Sequence, residues 1–327
     1  MRNGMSKLIF VGGLIVSGLI PLSACAQSWQ QFLQQIRQQA LSQGIRPAVL
    51  NQALGSLKAP SQTVSKLDNN QPEKRITYQQ YKKTRADAYR IMIGVKELNK
   101  HYALLKDIER QSGVSACTIT SIWGLESAYG RFKGSFPVIQ SLATLSYQGR
   151  RTAFFKEQLF YALHMLNDNA ISLKDFKGEW AGASGHCQFL PSSYYKYAVD
   201  YTGDGKKDIW FSKPDALASI ANYLKKNGWQ SHQPTLVTVT LPKRFDQQLL
   251  SLKVSKPVSA WLKMGVSVPR SARINRHQEA SIIHPDGGPT IMVFKNFKVL
   301  MAWNYSSYYA GTVSYMSDQI CKQEKQS

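Results

Sequence analysis

Residues 121 to 130, SIWGLESAYG, put one glutamate where helical periodicity calls for an apolar side chain. Ile119, Ile122, Trp123 and Glu126 follow the i, i+3, i+4, i+7 rule, so the carboxyl shares the apolar side of a helix. Gly130 suits a left-handed cap, which puts Glu126 in the last turn, beside a loop and a cleft. A carboxyl held beside Trp123 and poor in water keeps its proton to higher pH, the condition for a general acid near neutrality. A structural glutamate bonded to an arginine or a backbone amide would leave the same pattern.

Two other segments carry chemistry. Residues 177 to 195, KGEWAGASGHCQFLPSSYY, hold three glycines ahead of Gln188, Phe189 and Pro191 and lead into a helix at Ser192 or Ser193. Such a loop lets backbone approach a ligand, while Gln188 and the aromatic groups offer hydrogen bonds and stacking faces of the kind sugars use; an ordinary turn reads the same way. In DYTGDGKKDIW, Asp200, Thr202, Asp204, Gly205, Lys206 and Asp208 fall at positions 1, 3, 5, 6, 7 and 9 of an EF-hand-like loop, a spacing that folds oxygens around Ca²⁺. Position 12 is Phe211 instead of a bidentate glutamate, and Asp215 is the expected substitute ligand. The alternative is an Asp/Gly turn that binds nothing.

Helices must position these groups. Helical spacing runs through Trp29, Phe32, Leu33, Ile36 and Ala40, through PAVLNQALGSL, from Thr77 to Gln111, through RRTAFFKEQLFYALHML and through PDALASIANYLKKNGW. KAPSQTVSKLDNNQPEKR reads as an extended polar crossing segment. Between 235 and 300 the texture changes: TLVTVTL alternates, HPDGGP is turn chemistry, and PTIMVFKNFKVLMAW is β-branched and aromatic, the marks of a small strand-rich insert. SSYYAGTVSYMSDQICKQ then returns to helical spacing. The fold class is mainly α.

The chain has 327 residues, room for one large domain or two ordinary ones. Arg2 and Lys7 precede an apolar run from Leu8 to Leu22 that is too short and glycine-rich for a comfortable membrane span and reads as an export signal. Leu22-Ser23-Ala24-Cys25 is a lipobox-like site for lipidation of Cys25, whereas cleavage at Ala24-Cys25-Ala26 would release a soluble periplasmic protein. Residues 1–25 carry two cations and no acid, so the chain's +21 falls by two to +19 without them. That balance favours an anionic polymer or membrane face. Nucleic acid is not expected, since no helix-turn-helix, RNP or zinc-finger spacing is present.

Read together, SIWGLESAYG, SLATLSYQGRR at 141–151, the 177–195 loop and DALASIANYLKKNGW at 215–229 resemble the membrane-bound lytic murein transglycosylase B family, of the glycoside hydrolase family 103 type. The likeness extends from LDNNQPE to WNYSSYYA. It implies a lysozyme-like helical fold that cleaves the β-1,4 bond between N-acetylmuramic acid (MurNAc) and N-acetylglucosamine (GlcNAc) in peptidoglycan. Glu126 matches the catalytic glutamate, acting without a cofactor and leaving a 1,6-anhydro end. The implied sugar contacts are Gln188, Arg150, Arg151, Tyr223, Asn304 and Tyr309; a solvated basic turn and core tyrosines are the bland readings of the arginines and tyrosines. Glu179 departs from the family, which usually has serine there (KGEW for KGSW), and a second carboxylate near Glu126 would raise its pKa.

The expected organisation is a lipoprotein-type signal at 1–25, an N-terminal helical segment at 26–75, a lysozyme-like core at 76–230, the insert at 231–302 and a returning helix at 303–327. The protein is expected to be a periplasmic monomer, held at the outer membrane by a lipid on Cys25. Lipidation leaves Cys117, Cys187 and Cys321; Cys117 and Cys187, both in segments assigned to the site, are the expected disulfide, with unpaired buried thiols as the alternative. A hydrolytic muramidase and a non-catalytic wall-binding lipoprotein are the competing functions.

Overall fold

A computed structural model describes residues 27–70 and 76–324. The signal segment, Cys25 and the QPE triplet at 71–73 lie outside the described residues. The N-terminal part forms α1 (Trp29–Ser42), α2 (Pro47–Gly55) and α3 (Gln62–Asn69). There follow α4 (Tyr78–Arg85), α5 (Ala88–Lys100), α6 (Tyr102–Ser112), α7 (Ala116–Ser127), β1 (Phe136–Pro137), α8 (Val138–Gln148) and α9 (Thr152–Asn167). Next come β2 (Lys177–Gly178), α10 (Pro191–Tyr197) and α11 (Lys213–Lys226). The insert holds β3 (Leu236–Thr238), β4 (Lys256–Pro257), α12 (Val258–Lys263), β5 (Glu279–Ile283) and β6 (Ile291–Val293), after which α13 (Lys295–Trp303) and α14 (Ser307–Glu324) return to the helical body.

Local chemistry sets the helix starts. Ser28 and Thr77 form reciprocal capping boxes with Gln31 and Gln80, and Asp87 caps α5; such caps contribute about 1 kcal/mol each. α7 is buried on nearly every side, from Ala116 to Gly124, and packs against α5, α6, α11 and α14. A helix apolar all round belongs in a core, and this one is the axis on which Glu126 is mounted.

The segment read as an extended crossing is helical in its middle, as α3. Ser61 caps it, Val64 is buried, and the buried Asp68 accepts the backbone N–H of Arg150 at 3.1 Å. The strand reading of 289–303 holds only for its first part. β6 pairs antiparallel with β3 and β5, in the sheet order β3-β6-β5-β4, and covers a small separate core around Trp261 and Met292. The chain then turns into α13, which drives Phe297, Val299 and Leu300 into the main core.

The disulfide joins Cys117 to Cys321, not to Cys187, with Cα atoms 5.7 Å apart. Cys117 lies at the start of α7, facing α14, whereas Cys187 is a buried free thiol beside His186, whose ring and carbonyl contact the far end of α7. One cysteine cannot reach both ends of that helix.

Candidate active site

α7 ends one residue after Glu126. Three consecutive residues then take left-handed backbone: Ala128 at φ 47°, Tyr129 at 62° and Gly130 at 83°. The sequence led us to place the cap at Gly130 alone. Only there does glycine have a steric reason, because a Cβ would stand 2.1 Å from the His186 ring; at Ala128 and Tyr129 the conformation costs roughly 1–2 kcal/mol each. Contacts on three sides hold the turn. Tyr129 donates its hydroxyl to the Arg90 carbonyl at 2.7 Å, Ser127 Oγ donates to the His186 carbonyl at 2.7 Å, and the Gly130 N–H donates to Ser127 Oγ at 3.0 Å.

His186 also accepts from Trp123 Nε1 at 3.0 Å through Nδ1. That bond requires an unprotonated Nδ1, and burial, with Lys133 and Lys213 nearby, lowers the imidazole pKa to about 4. The end of the helix that carries Glu126 and the glycine loop are thereby one connected unit.

Glu126 itself is half-buried. Its Oε1 accepts two hydrogen bonds, from Tyr309 Oη at 2.6 Å and from Trp303 Nε1 at 2.7 Å. Among the described residues Oε2 has no protein hydrogen bond and is not sealed from solvent. Burial raises the carboxyl pKa to about 7, against the opposing pull of the Tyr309 and Trp303 donors and of the Arg85 charge. Because two donors already occupy Oε1, the proton resides on Oε2, the oxygen open to an incoming ligand. The site therefore presents one carboxyl that keeps its proton up to about pH 7, with two fixed donors ready to stabilise the carboxylate left after proton transfer.

The other residues singled out from the sequence stand in different relations to this carboxyl. Tyr309 is buried and bonded to Glu126. Tyr223 acts one step back: its hydroxyl donates to the Ala302 carbonyl at 2.6 Å, and its ring packs edge-on at 4.6 Å against Trp303, which Phe189 also contacts at 5.4 Å. Gln188, in left-handed backbone at φ 49°, donates to the carbonyls of Lys133 and Gly185, and its Oε1 is buried without a partner. Asn304 is exposed at the end of α13.

Arg150 and Arg151 are not joined to this group by any contact among the described residues. Arg150 sits 3.9 Å from Asp68, and Arg151 lies over Phe154 and Phe155 at 5.1 and 5.3 Å. Glu179 is exposed on a turn closed by backbone bonds with Gly182 and Ala183. Burial, rather than a second carboxylate, is what raises Glu126, so the like-charge coupling anticipated from KGEW is not the cause. Trp303 was missed, although it stands inside the WNYSSYYA motif; Phe297 and Leu300, three apart and both buried, were the signal that a helix delivers it.

The 200–215 loop gathers oxygens as its spacing predicts. Ligand-capable atoms of Asp200, Asp204 and Asp215 all lie within 4.8 Å of one another. Asp200 accepts the N–H groups of Gly203, Asp204 and Gly205, and the fully buried Asp215 accepts those of Tyr201, Thr202 and Asp208. Asp208 is turned to the N–H groups of Trp210 and Phe211 instead. Three convergent carboxylates on a tight loop suit a hard cation with oxygen ligands.

Residues 28–318 match the family described as transglycosylase SLT domain. Membrane-bound lytic murein transglycosylase B of Escherichia coli (strain K12) is 29% identical over 281 residues, which is 81% of this chain and 75% of the relative. Among solved structures, SltB3 of Pseudomonas aeruginosa in complex with NAG-anhNAM-pentapeptide is 38% identical, with a TM-score of 0.86 covering 90% of this chain and 80% of that one. The Escherichia coli lytic transglycosylase SLT35 in complex with calcium is 28% identical, with a TM-score of 0.78 covering 91% and 94%.

Proposed function

This chain belongs to the transglycosylase SLT-domain family and is a lytic transglycosylase acting on peptidoglycan, and we propose that Glu126 alone serves as its acid and then its base. The observation that carries this assignment is the isolation of the carboxyl. Among the described residues its hydrogen-bond partners are the neutral donors Tyr309 and Trp303, and no carboxylate is in contact with it. A glycosidase that uses water or a protein nucleophile needs two carboxylates at set separations. Here Oε2–H protonates the glycosidic oxygen as the bond to C1 of MurNAc breaks. The resulting carboxylate takes the proton of the C6 hydroxyl, which closes on C1 of its own ring. The attacking hydroxyl is tethered to the reacting ring, so proximity replaces a bound water, and the acid is regenerated. The test is release of soluble muropeptides from purified sacculi by the wild-type protein; intact sacculi would refute the activity.

Since the acid must enter the cycle protonated, kcat/KM should decline as pH rises through about 7. Tyr309→Phe removes a donor that favours the carboxylate, so this limb should move to higher pH by about one pH unit. A limb that stays in place or moves to lower pH would separate Tyr309 from the tuning of Glu126.

Asp200, Asp204 and Asp215, with the Thr202 hydroxyl and the Lys206 carbonyl, would hold a structural Ca²⁺ that takes no part in the chemistry. Calcium bound only to the native state should raise the melting temperature, and Asp204→Asn should abolish that response. An unchanged melting curve at millimolar-scale calcium would leave the loop a simple turn.

The E. coli relative is named as membrane-bound, and no helix among the described residues here is long and apolar enough to cross a membrane. A lipid on Cys25, at the end of the export signal, would hold the enzyme at the outer membrane as a periplasmic monomer, its +19 charge facing the anionic wall.

A further inference from the structure

Beside the Gln188 loop lies a cavity of about 240 Å³, bordered by Lys133, Lys174, Lys177, Trp210 and Phe211 together with Gly134 and Asp175. Its floor is fixed. β1 and β2 pair through Phe136 with Gly178 and Pro137 with Lys177, and Gly134, at φ 88°, crosses so closely that a Cβ would stand 1.9 Å from the Gly178 carbonyl carbon. Lys133 is held as well: its Nζ donates to the Trp210 carbonyl at 2.7 Å and lies 5.3 Å from the centre of the Phe211 ring. An ammonium has three donors, so two of its N–H directions remain for a ligand.

Lys174 and Lys177 are exposed and form no salt bridge among the described residues. The one acid at the rim, Asp175, already accepts the Ser172 hydroxyl at 2.6 Å. Three cations thus face a small space that contains one engaged carboxylate. Its edge is apolar: Phe211 is 64% exposed, and Phe132, one residue before Lys133, is 72% exposed. The backbone ties this space to the sugar-facing loop, because Gln188 Nε2 donates to the Lys133 carbonyl at 3.2 Å.

We propose that Lys133, Lys174 and Lys177 form a subsite for a carboxylate of the short peptide carried by the strand being cut, with Phe211 against the aliphatic part of that peptide. This inference rests on the peptidoglycan activity proposed above. The amino sugars of such a strand are neutral, whereas its peptides carry free carboxylates on small aliphatic residues, which is the pairing of charge and apolar surface that this cavity matches.

The test compares wild type with Lys174→Gln/Lys177→Gln, both changes being at exposed positions, on two substrates: strands bearing peptides, and the same strands stripped of them by an amidase. The double variant should lose about tenfold in kcat/KM on peptide-bearing strands, chiefly through KM, and the loss should shrink in high salt. On stripped strands, whose remaining carboxylates are the lactyl groups on the sugar ring that the amidase frees, the two proteins should agree, and their melting temperatures should coincide. An equal loss on both substrates would show general attraction to the wall, and no loss on either would show a solvated basic face; each overturns the subsite while leaving the activity intact. Failure of the wild type to cut either substrate would instead overturn the activity, and the subsite with it.

Discussion

Glu126→Gln is expected to reduce cleavage by at least about a thousandfold while leaving the fold unchanged. The amide oxygen can accept the same bonds from Tyr309 and Trp303 that Oε1 accepts now, so the pocket loses neither volume nor donors' partners. What disappears is the transferable proton on the outward atom. The same substitution should change the pH dependence of stability. A carboxyl whose pKa is raised by folding from 4.5 to about 7 gives its full contribution below pH 4.5 and loses it as pH climbs through 7. The variant lacks that loss, so above pH 7 it should exceed wild type by on the order of 3 kcal/mol. Denaturant titrations at pH 5 and pH 8 read this directly, and equal differences at both values would mean that the carboxyl is not destabilised by its burial.

The second large effect is on stability alone. The disulfide between Cys117 and Cys321 spans 204 residues and ties the start of α7 to the last turns of α14, the two helices that bring Glu126 and Tyr309 together. Closing a loop of that length restricts the unfolded chain by about 5 kcal/mol on the entropy model, and measured effects are more often 2–4 kcal/mol. Cys321→Ser should therefore lower the melting temperature by roughly 5–10 °C. Reductant should lower wild type similarly and leave the variant unmoved. Cys187→Ser should retain the reductant response, which distinguishes this pairing from the one suggested by the sequence. A wild-type melting curve indifferent to reductant would contradict it.

The parts of this protein that were legible in its sequence are those written in local periodicity. Ile119, Ile122 and Trp123 are each fully buried, and the glutamate that continues their face is the one that meets Tyr309 and Trp303. The spacing of Asp200 and Asp204 did bring two carboxylates together with Asp215, although Asp208 turned to the N–H groups of Trp210 and Phe211 instead. What stayed hidden depends on distant partners. Trp303 lies 177 residues from Glu126 and sits in a run whose β-branched and aromatic content resembled strand until burial of Phe297 and Leu300 decided for helix. Asp68 looked like part of a polar crossing, yet it is buried and accepts the backbone N–H of Arg150, 82 residues further along the chain. Ala128 and Tyr129 carry no sequence mark of left-handed backbone, because the surrounding contacts impose it.

The central claim is that one carboxyl works with a hydroxyl of the substrate and without water. It is tested most directly by digesting purified sacculi in heavy-oxygen water and reading the new glycan ends by mass spectrometry. The account predicts 1,6-anhydro-MurNAc ends, one water lighter than a reducing sugar and free of the heavy isotope. Reducing ends that carry the heavy oxygen would show that water is the nucleophile and would contradict it.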